Sequence, residues 1–169
     1  GKTTTTTLVG DIMKHAFPNV DVVGNIGIPY TEVVEGQQDN HISVCEISSF
    51  QLETIETFHP RVSAILNIQP DHLNRHHTME NYIAAKESIT KNQDNDDICV
   101  LNYDDEVLRE FGKQLLQKVV FFSSTQELQE GLYVQDDAIV WARNGEIQHI
   151  ICVDEMQILG AHNHENAMA

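Results

Sequence analysis

The chain opens on Gly1-Lys2-Thr3 and runs straight into Thr4-Thr5-Thr6-Thr7. No other stretch constrains the fold as much. A glycine lets the backbone approach phosphate, the lysine after it reaches β- and γ-phosphates, and the threonine hydroxyl ligates Mg²⁺. A helix starting here adds its free N–H groups and positive dipole end to the same place. The glycine-rich half of such a phosphate loop is absent, so the triplet also reads as a remnant ahead of a Thr-rich helix. The rest of the chain has to decide between the two.

The 169 residues suit one domain with a real core, and 41% of them are hydrophobic. No apolar run is long enough to span a bilayer, so no membrane insertion is expected. A formal net charge of -16 argues against a nucleic-acid partner. Any phosphate site must therefore be local, built from backbone amides, a lysine and metal ions. Cys45, Cys99 and Cys152 each sit alone in an apolar run, which reads as reduced core thiols in a cytoplasmic protein.

Leu8, Ile12 and Met13 give a helix from Thr4 to about His15, with Gly10 as its exception. Strands follow at 20–23, 42–47, 62–68, 98–101 and 119–122. Between them fit a helix after Pro29 and others at about 50–57, 78–92 and 104–116, the last capped by Asp104. This alternation predicts an α/β fold, a mostly parallel sheet flanked by helices, with its first strand expected just before Gly1. After Ser124 the pattern changes to short strands at 132–134, 138–142 and 146–153. Asp136-Asp137 and Asn144-Gly145 are the turns between them, so a small antiparallel β appendage is expected. Another helix is expected to start within the segment from Gly160 to Ala167.

In an open α/β sheet, ligands bind beyond the carboxyl ends of the strands. Asn25, Glu46, the pair Asp71 and His72, and the pair Asn102 and Asp104 all stand at such ends. An acidic residue closing an apolar strand opposite a phosphate loop is a usual Mg²⁺ ligand. Glu46 also reads as an edge charge, and Asn67, Asn102 and Asp104 as turn and cap residues. His72, His76 and His77 lack a nearby cysteine or second spaced pair, which favours a solvated cluster over zinc. One sheet edge shared with Gly-Lys-Thr strengthens the functional readings together.

These residues fall into a known pattern. Gly1-Lys-Thr-Thr4, Gly24-Asn-Ile-Gly27, Glu46-Ile-Ser-Ser-Phe-Gln-Leu-Glu53, Asn67-Ile-Gln-Pro-Asp-His-Leu73, Ala84-Ala-Lys86 and Gly160-x-His-Asn-x-x-Asn166 resemble the Mur ligases in order and spacing. The octapeptide from Glu46 resembles the branch that adds D-glutamate, in contrast to other Mur ligases and to folylpolyglutamate synthase. The likeness spans residues 1–169 as the central, ATP-binding domain of a three-domain family. It implies a UDP-binding domain before Gly1 and an amino-acid-binding domain after Ala169. It also implies that this unit folds alone without ligating, and that the enzyme is a monomer.

The resemblance further implies roles. Gly1, Lys2, Thr3 and Thr4 would hold the ATP phosphates, and Asn163 and Asn166 the adenine. Thr3 and Glu46 would ligate the first of two Mg²⁺ ions. His72 would ligate the second, beside a carbamylated Lys86, and Asn25, Ser48 and Gln51 would face the nucleotide-sugar substrate. The implied reaction phosphorylates the carboxylate of UDP-N-acetylmuramoyl-L-alanine from ATP, and the amine of D-glutamate then attacks the acyl phosphate. A non-catalytic α/β interaction domain is one competing reading, and a nucleotide-binding switch using the same loop is the other. The switch leaves Asp71-His72 and Ala84-Ala-Lys86 without a purpose.

Overall fold

Helix α1 spans Lys2–Ala16, with Lys14 and His15 in its last turn where they complement the helix dipole. It lies on a two-stranded parallel sheet of β1 (Val20–Gly24) and β2 (Ile42–Glu46). Gly10 is where helix and sheet meet most closely. A Cβ there would stand 2.3 Å from Val22 Cγ2, so only glycine allows this approach. Two short helices, α2 (Tyr30–Val33) and α3 (Ser49–Leu52), flank β2 in sequence.

The computed structural model describes residues 1–158 and 160–169, and the larger sheet takes up most of the remainder. Its strands are β3 (Val62–Ile65), β4 (Ile98–Asn102), β5 (Lys118–Ser123), β6 (Gly131–Gln135), β7 (Ala138–Arg143) and β8 (Glu146–Cys152), in that spatial order. Helices α4 (Leu73–His76) and α5 (Met79–Glu87) connect β3 to β4, and α6 (Glu106–Gly112) connects β4 to β5. Helix α7 (Ala161–Met168) follows β8 and packs against α1.

β4 is covered on both faces, as a strand inside a parallel sheet must be. Cys99 and Leu101 pack with Ile65 and Leu108 on one side. Val100 packs with Phe122, Ile139 and Met168 on the other. Burial pushes the Cys99 thiol up to about 11, so it stays a neutral core group.

The α/β architecture is as the alternation predicts, with three differences. First, β1 and β2 form a sheet of their own, not hydrogen-bonded to β3. Second, the antiparallel strands extend the parallel sheet, because β6 pairs parallel with β5 through Phe122–Leu132 and Ser123–Tyr133. Both tight turns have the positive φ pairs that match hairpin twist, at Asp136-Asp137 and Asn144-Gly145. Third, the helices read over 50–57, 78–92 and 104–116 are shorter than their apolar spacing suggests. The helix read over 50–57 stops at Leu52, and the one read over 104–116 starts at Glu106.

That last start corrects the cap. Asp105, not Asp104, accepts the backbone N–H groups of Val107 and Leu108. Asp104 turns away to accept from the hydroxyls of Ser123 and Thr125, 2.6 Å each, and from the Ser124 N–H. Those bonds hold its carboxyl below the usual carboxylate range, against the burial that would raise it.

Candidate active site

Gly24 sets the geometry where β1 ends. Its φ is +108°, and a Cβ there would fall 2.3 Å from the Glu46 carbonyl oxygen. This close approach lets the Asn25 N–H donate to that same carbonyl at 2.7 Å. Gly24→Ala is expected to cost about 2–3 kcal/mol in urea unfolding, through strain and displacement of β2.

Asn25 also donates from Nδ2 to Glu46 Oε1 at 2.9 Å. Thr3 donates from Oγ1 to Glu46 Oε2, also at 2.9 Å. Glu46 is 3% exposed, and among the described residues it makes no ion pair. A buried carboxylate whose two oxygens meet only neutral donors is costly alone and suited to a cation. Asn25, which the resemblance places facing the substrate, also holds this carboxylate.

The first turn of α1 is tied to α7. The Gly1 nitrogen donates to Asn166 Oδ1 at 2.6 Å, and Thr5 Oγ1 donates to the same oxygen at 3.3 Å. Asn166 is buried and donates from Nδ2 to Asn163 Oδ1 at 2.9 Å. The two asparagines therefore stand together against the Gly-Lys-Thr turn. Thr5 was missed because a threonine run gives no signal of which hydroxyl turns inward. Lys2 is exposed, and Thr4 is half-buried beside it.

Lys86 sits on α5, half-buried, and donates from Nζ to the Asn67 carbonyl at 2.8 Å. The sequence places it on a helix but says nothing of that carbonyl. Burial pulls its ammonium down to about 8, and the charge of Lys2 adds to the effect, against Asp105 and Asp71. Lys86 therefore lies within electrostatic reach of Lys2 and of Asp71. Asp105 earns its position twice, since its Oδ2 also accepts the Ile68 N–H at 2.6 Å.

Ser48 and Gln51 are engaged with each other. Ser48 caps α3, its Oγ accepting the Gln51 N–H, while its own N–H donates to Gln51 Oε1 at 2.9 Å. His72 precedes α4 with φ +52°, a left-handed position, and its ring is exposed near Asp71 Oδ2 at 3.4 Å. Neither pair contacts Glu46 through a hydrogen bond. The histidine cluster read as solvated is only partly so. His72 and His77 are exposed, but His76 is 4% exposed, because Ser49 and Glu53 supply polar partners inside.

The chain is similar to known proteins over its whole length. The UDP-N-acetylmuramoylalanine–D-glutamate ligase of Lachnoclostridium phytofermentans is 55% identical over 170 residues, covering 100% of this chain and 37% of that protein. The enzymes of the same name from Alkaliphilus oremlandii and Clostridioides difficile are 52% and 47% identical over 169 residues, again 100% of this chain and 37% of each. This chain thus spans a little over a third of the relatives it matches. Among solved structures, a UDP-N-acetylmuramoyl-L-alanyl-D-glutamate–2,6-diaminopimelate ligase superposes with TM-score 0.70 at 20% identity, over 96% of this chain and 38% of that one. The MurF ligase from Thermotoga maritima in complex with ADP gives 0.62 at 20% identity, over 89% and 38%. These two share the fold. The Mur ligase middle domain family matches residues 1–169, from Gly1-Lys2-Thr3 through the paired asparagines of α7, and the chain belongs to that family.

Proposed function

We propose that these residues are the central, ATP-binding unit of a cytoplasmic, monomeric ligase. It would add D-glutamate to UDP-N-acetylmuramoyl-L-alanine in peptidoglycan precursor synthesis. A UDP-binding domain before this unit and an amino-acid-binding domain after it would complete the enzyme.

The observation that carries the reading is Glu46: buried, unpaired by any cation among the described residues, and shared between Thr3 of the phosphate turn and Asn25. That donor set fits Mg²⁺, a hard cation that takes oxygen ligands. Thr3 and Glu46 would hold one ion, and His72 with a carbamylated Lys86 the second. When bound, the ions offset repulsion between the substrate carboxylate and the phosphates of ATP.

The chain's own residues divide the remaining work. Gly1 and Lys2 would cradle phosphate at the start of α1, aided by the dipole of a 15-residue helix. Asn163 and Asn166 would take the adenine, which sets the nucleotide along the line from α7 to α1. Asn25 would keep Glu46 aimed inward. Ser48 and Gln51 would present the α3 corner to the nucleotide sugar. A carboxylate oxygen is a poor leaving group, so phosphorylation before amine attack is the step this phosphate-centred site would serve.

The test is turnover by the intact protein with UDP-N-acetylmuramoyl-L-alanine and each candidate amino acid in turn. ADP and phosphate release matched by amide formation is expected with D-glutamate alone, and a radiolabelled acyl phosphate should be trapped when the amino acid is withheld. ATP hydrolysis with no amide from any amino acid would favour a nucleotide switch.

A further inference from the structure

One buried polar group plays no part in the site described so far. His76 closes α4 with its ring enclosed on every side. Ser49 Oγ lies 3.0 Å from Nε2, and Glu53 Oε1 lies 3.2 Å from Nδ1. An ionised carboxylate only accepts, so in the neutral ring Nδ1–H donates to Glu53 and Nε2 accepts from the Ser49 hydroxyl. Phe50 stacks on the imidazole at 5.4 Å between centroids, and Tyr82 of α5 meets it at 5.3 Å. The His76 carbonyl accepts from Asn81 Nδ2 at 3.0 Å. Next to it, Arg75 pairs with Glu53 Oε2 at 2.9 Å and lies over the Phe50 ring at 4.4 Å.

The helix this ring anchors cannot hold itself. α4 is four residues long, and both flanking residues, His72 at φ +52° and His77 at φ +68°, are non-glycine with positive φ. One turn is well short of a self-supporting helix, and each such φ is an unfavourable backbone state. The His76 N–H donates back to the His72 carbonyl at 3.1 Å, so the anchored residue also closes the turn that His72 opens. Ser49, Phe50 and Glu53 all belong to the α3 segment that carries Ser48 and Gln51. The arrangement resembles a serine–histidine–carboxylate triad, but Ser49 is 9% exposed and is no nucleophile.

We propose that His76 is a positioning residue. It locks α4 to α3, and so fixes the His72 imidazole relative to the capped corner of Ser48 and Gln51. This rests on the reading of His72 as a metal ligand.

The experiment uses the intact ligase, with Mn²⁺ in place of Mg²⁺ and a non-hydrolysable ATP analogue present. Mn²⁺ affinity is read by electron paramagnetic resonance. His76→Phe keeps the ring stack and removes both polar bonds. It is expected to weaken Mn²⁺ binding about tenfold or more, the usual effect of losing a residue that orients a ligand. Ser49→Ala should shift it in the same direction by less, and it carries the test if His76→Phe does not fold. His72→Ala is the control. Unchanged Mn²⁺ affinity in folded His76→Phe and Ser49→Ala, beside weakened His72→Ala, would overturn the positioning role and leave the metal reading standing. Unchanged affinity in His72→Ala would remove the metal-ligand reading and the positioning role together. ¹⁵N-histidine spectra give an independent check, since the Nδ1–H tautomer is expected at His76 and the Nε2–H tautomer would refute the network.

Discussion

Lys86→Ala in the intact enzyme is expected to be nearly inactive and to regain part of its activity with added short carboxylic acids. As an ammonium beside Mg²⁺, Lys86 would only repel the metal. As a free amine it adds to CO₂ through a new N–C bond and releases a proton, leaving a carbamate whose oxygens suit Mg²⁺. Two features of its setting favour this chemistry. Burial and the nearby Lys2 bring the ammonium down to about 8, so a useful share is free amine near neutral pH. The Asn67 carbonyl, 2.8 Å away, fixes the nitrogen's position.

A depressed lysine also leaves a mark on stability. The folded chain gives up the Lys86 proton near pH 8, whereas the unfolded chain keeps it to about its ordinary 10.5. Between those values the unfolded state binds more protons, so this group makes stability rise with pH across that window. Lys86→Met should flatten that rise in pH-resolved thermal melts. Lys86→Arg should stay inactive, since guanidinium remains protonated and cannot form the carbamate. A fully active arginine variant would sink the carbamate and leave the ligase reading intact.

Glu46→Gln is the second large effect. Turnover should fall about 10²–10³-fold, the cost of losing one positioned electrostatic contact. Stability should move the other way or stay level. The wild-type side chain is a charge at 3% exposure with only Thr3 and Asn25 to meet it, so neutralising it in the metal-free protein removes a desolvation cost. The amide would, however, set its own NH₂ against one of those donors. Kinetics and thermal melts on the same preparation separate the two roles. An unfolded variant with full activity per folded molecule would make Glu46 a structural residue.

Much of this was legible in the chain itself, and the reasons differ by residue. Strands such as the one read over 98–101 announce themselves because a run covered on both faces is apolar along its length. Glu46 stands out because an acid closing such a run has no core role. Pairing between strands is less legible, because it depends on neighbours far away in sequence. Nothing in Val20–Gly24 or Val62–Ile65 says that they join different sheets. Adjacent Asp104 and Asp105 are chemically alike, and only the position of Ser123 to Thr125 decides which one caps α6. His76 failed the sequence reading for a related reason. A histidine is polar on paper, and only a folded neighbourhood supplies the Ser49 and Glu53 that make its burial favourable.

The tie between α1 and α7 has a consequence in time. Thr5 and Asn166 bond across 161 positions of chain, so the start of α1 is closed by one of the least local contacts among the described residues. Contacts of that span are the slowest to form, whereas the hairpins joining β6, β7 and β8 need only their near neighbours. Once made, the hairpins can therefore assemble without waiting for distant segments. Within this unit the turn at Gly1 is made before Asn166 and must wait for it before it is held, so that end becomes native late.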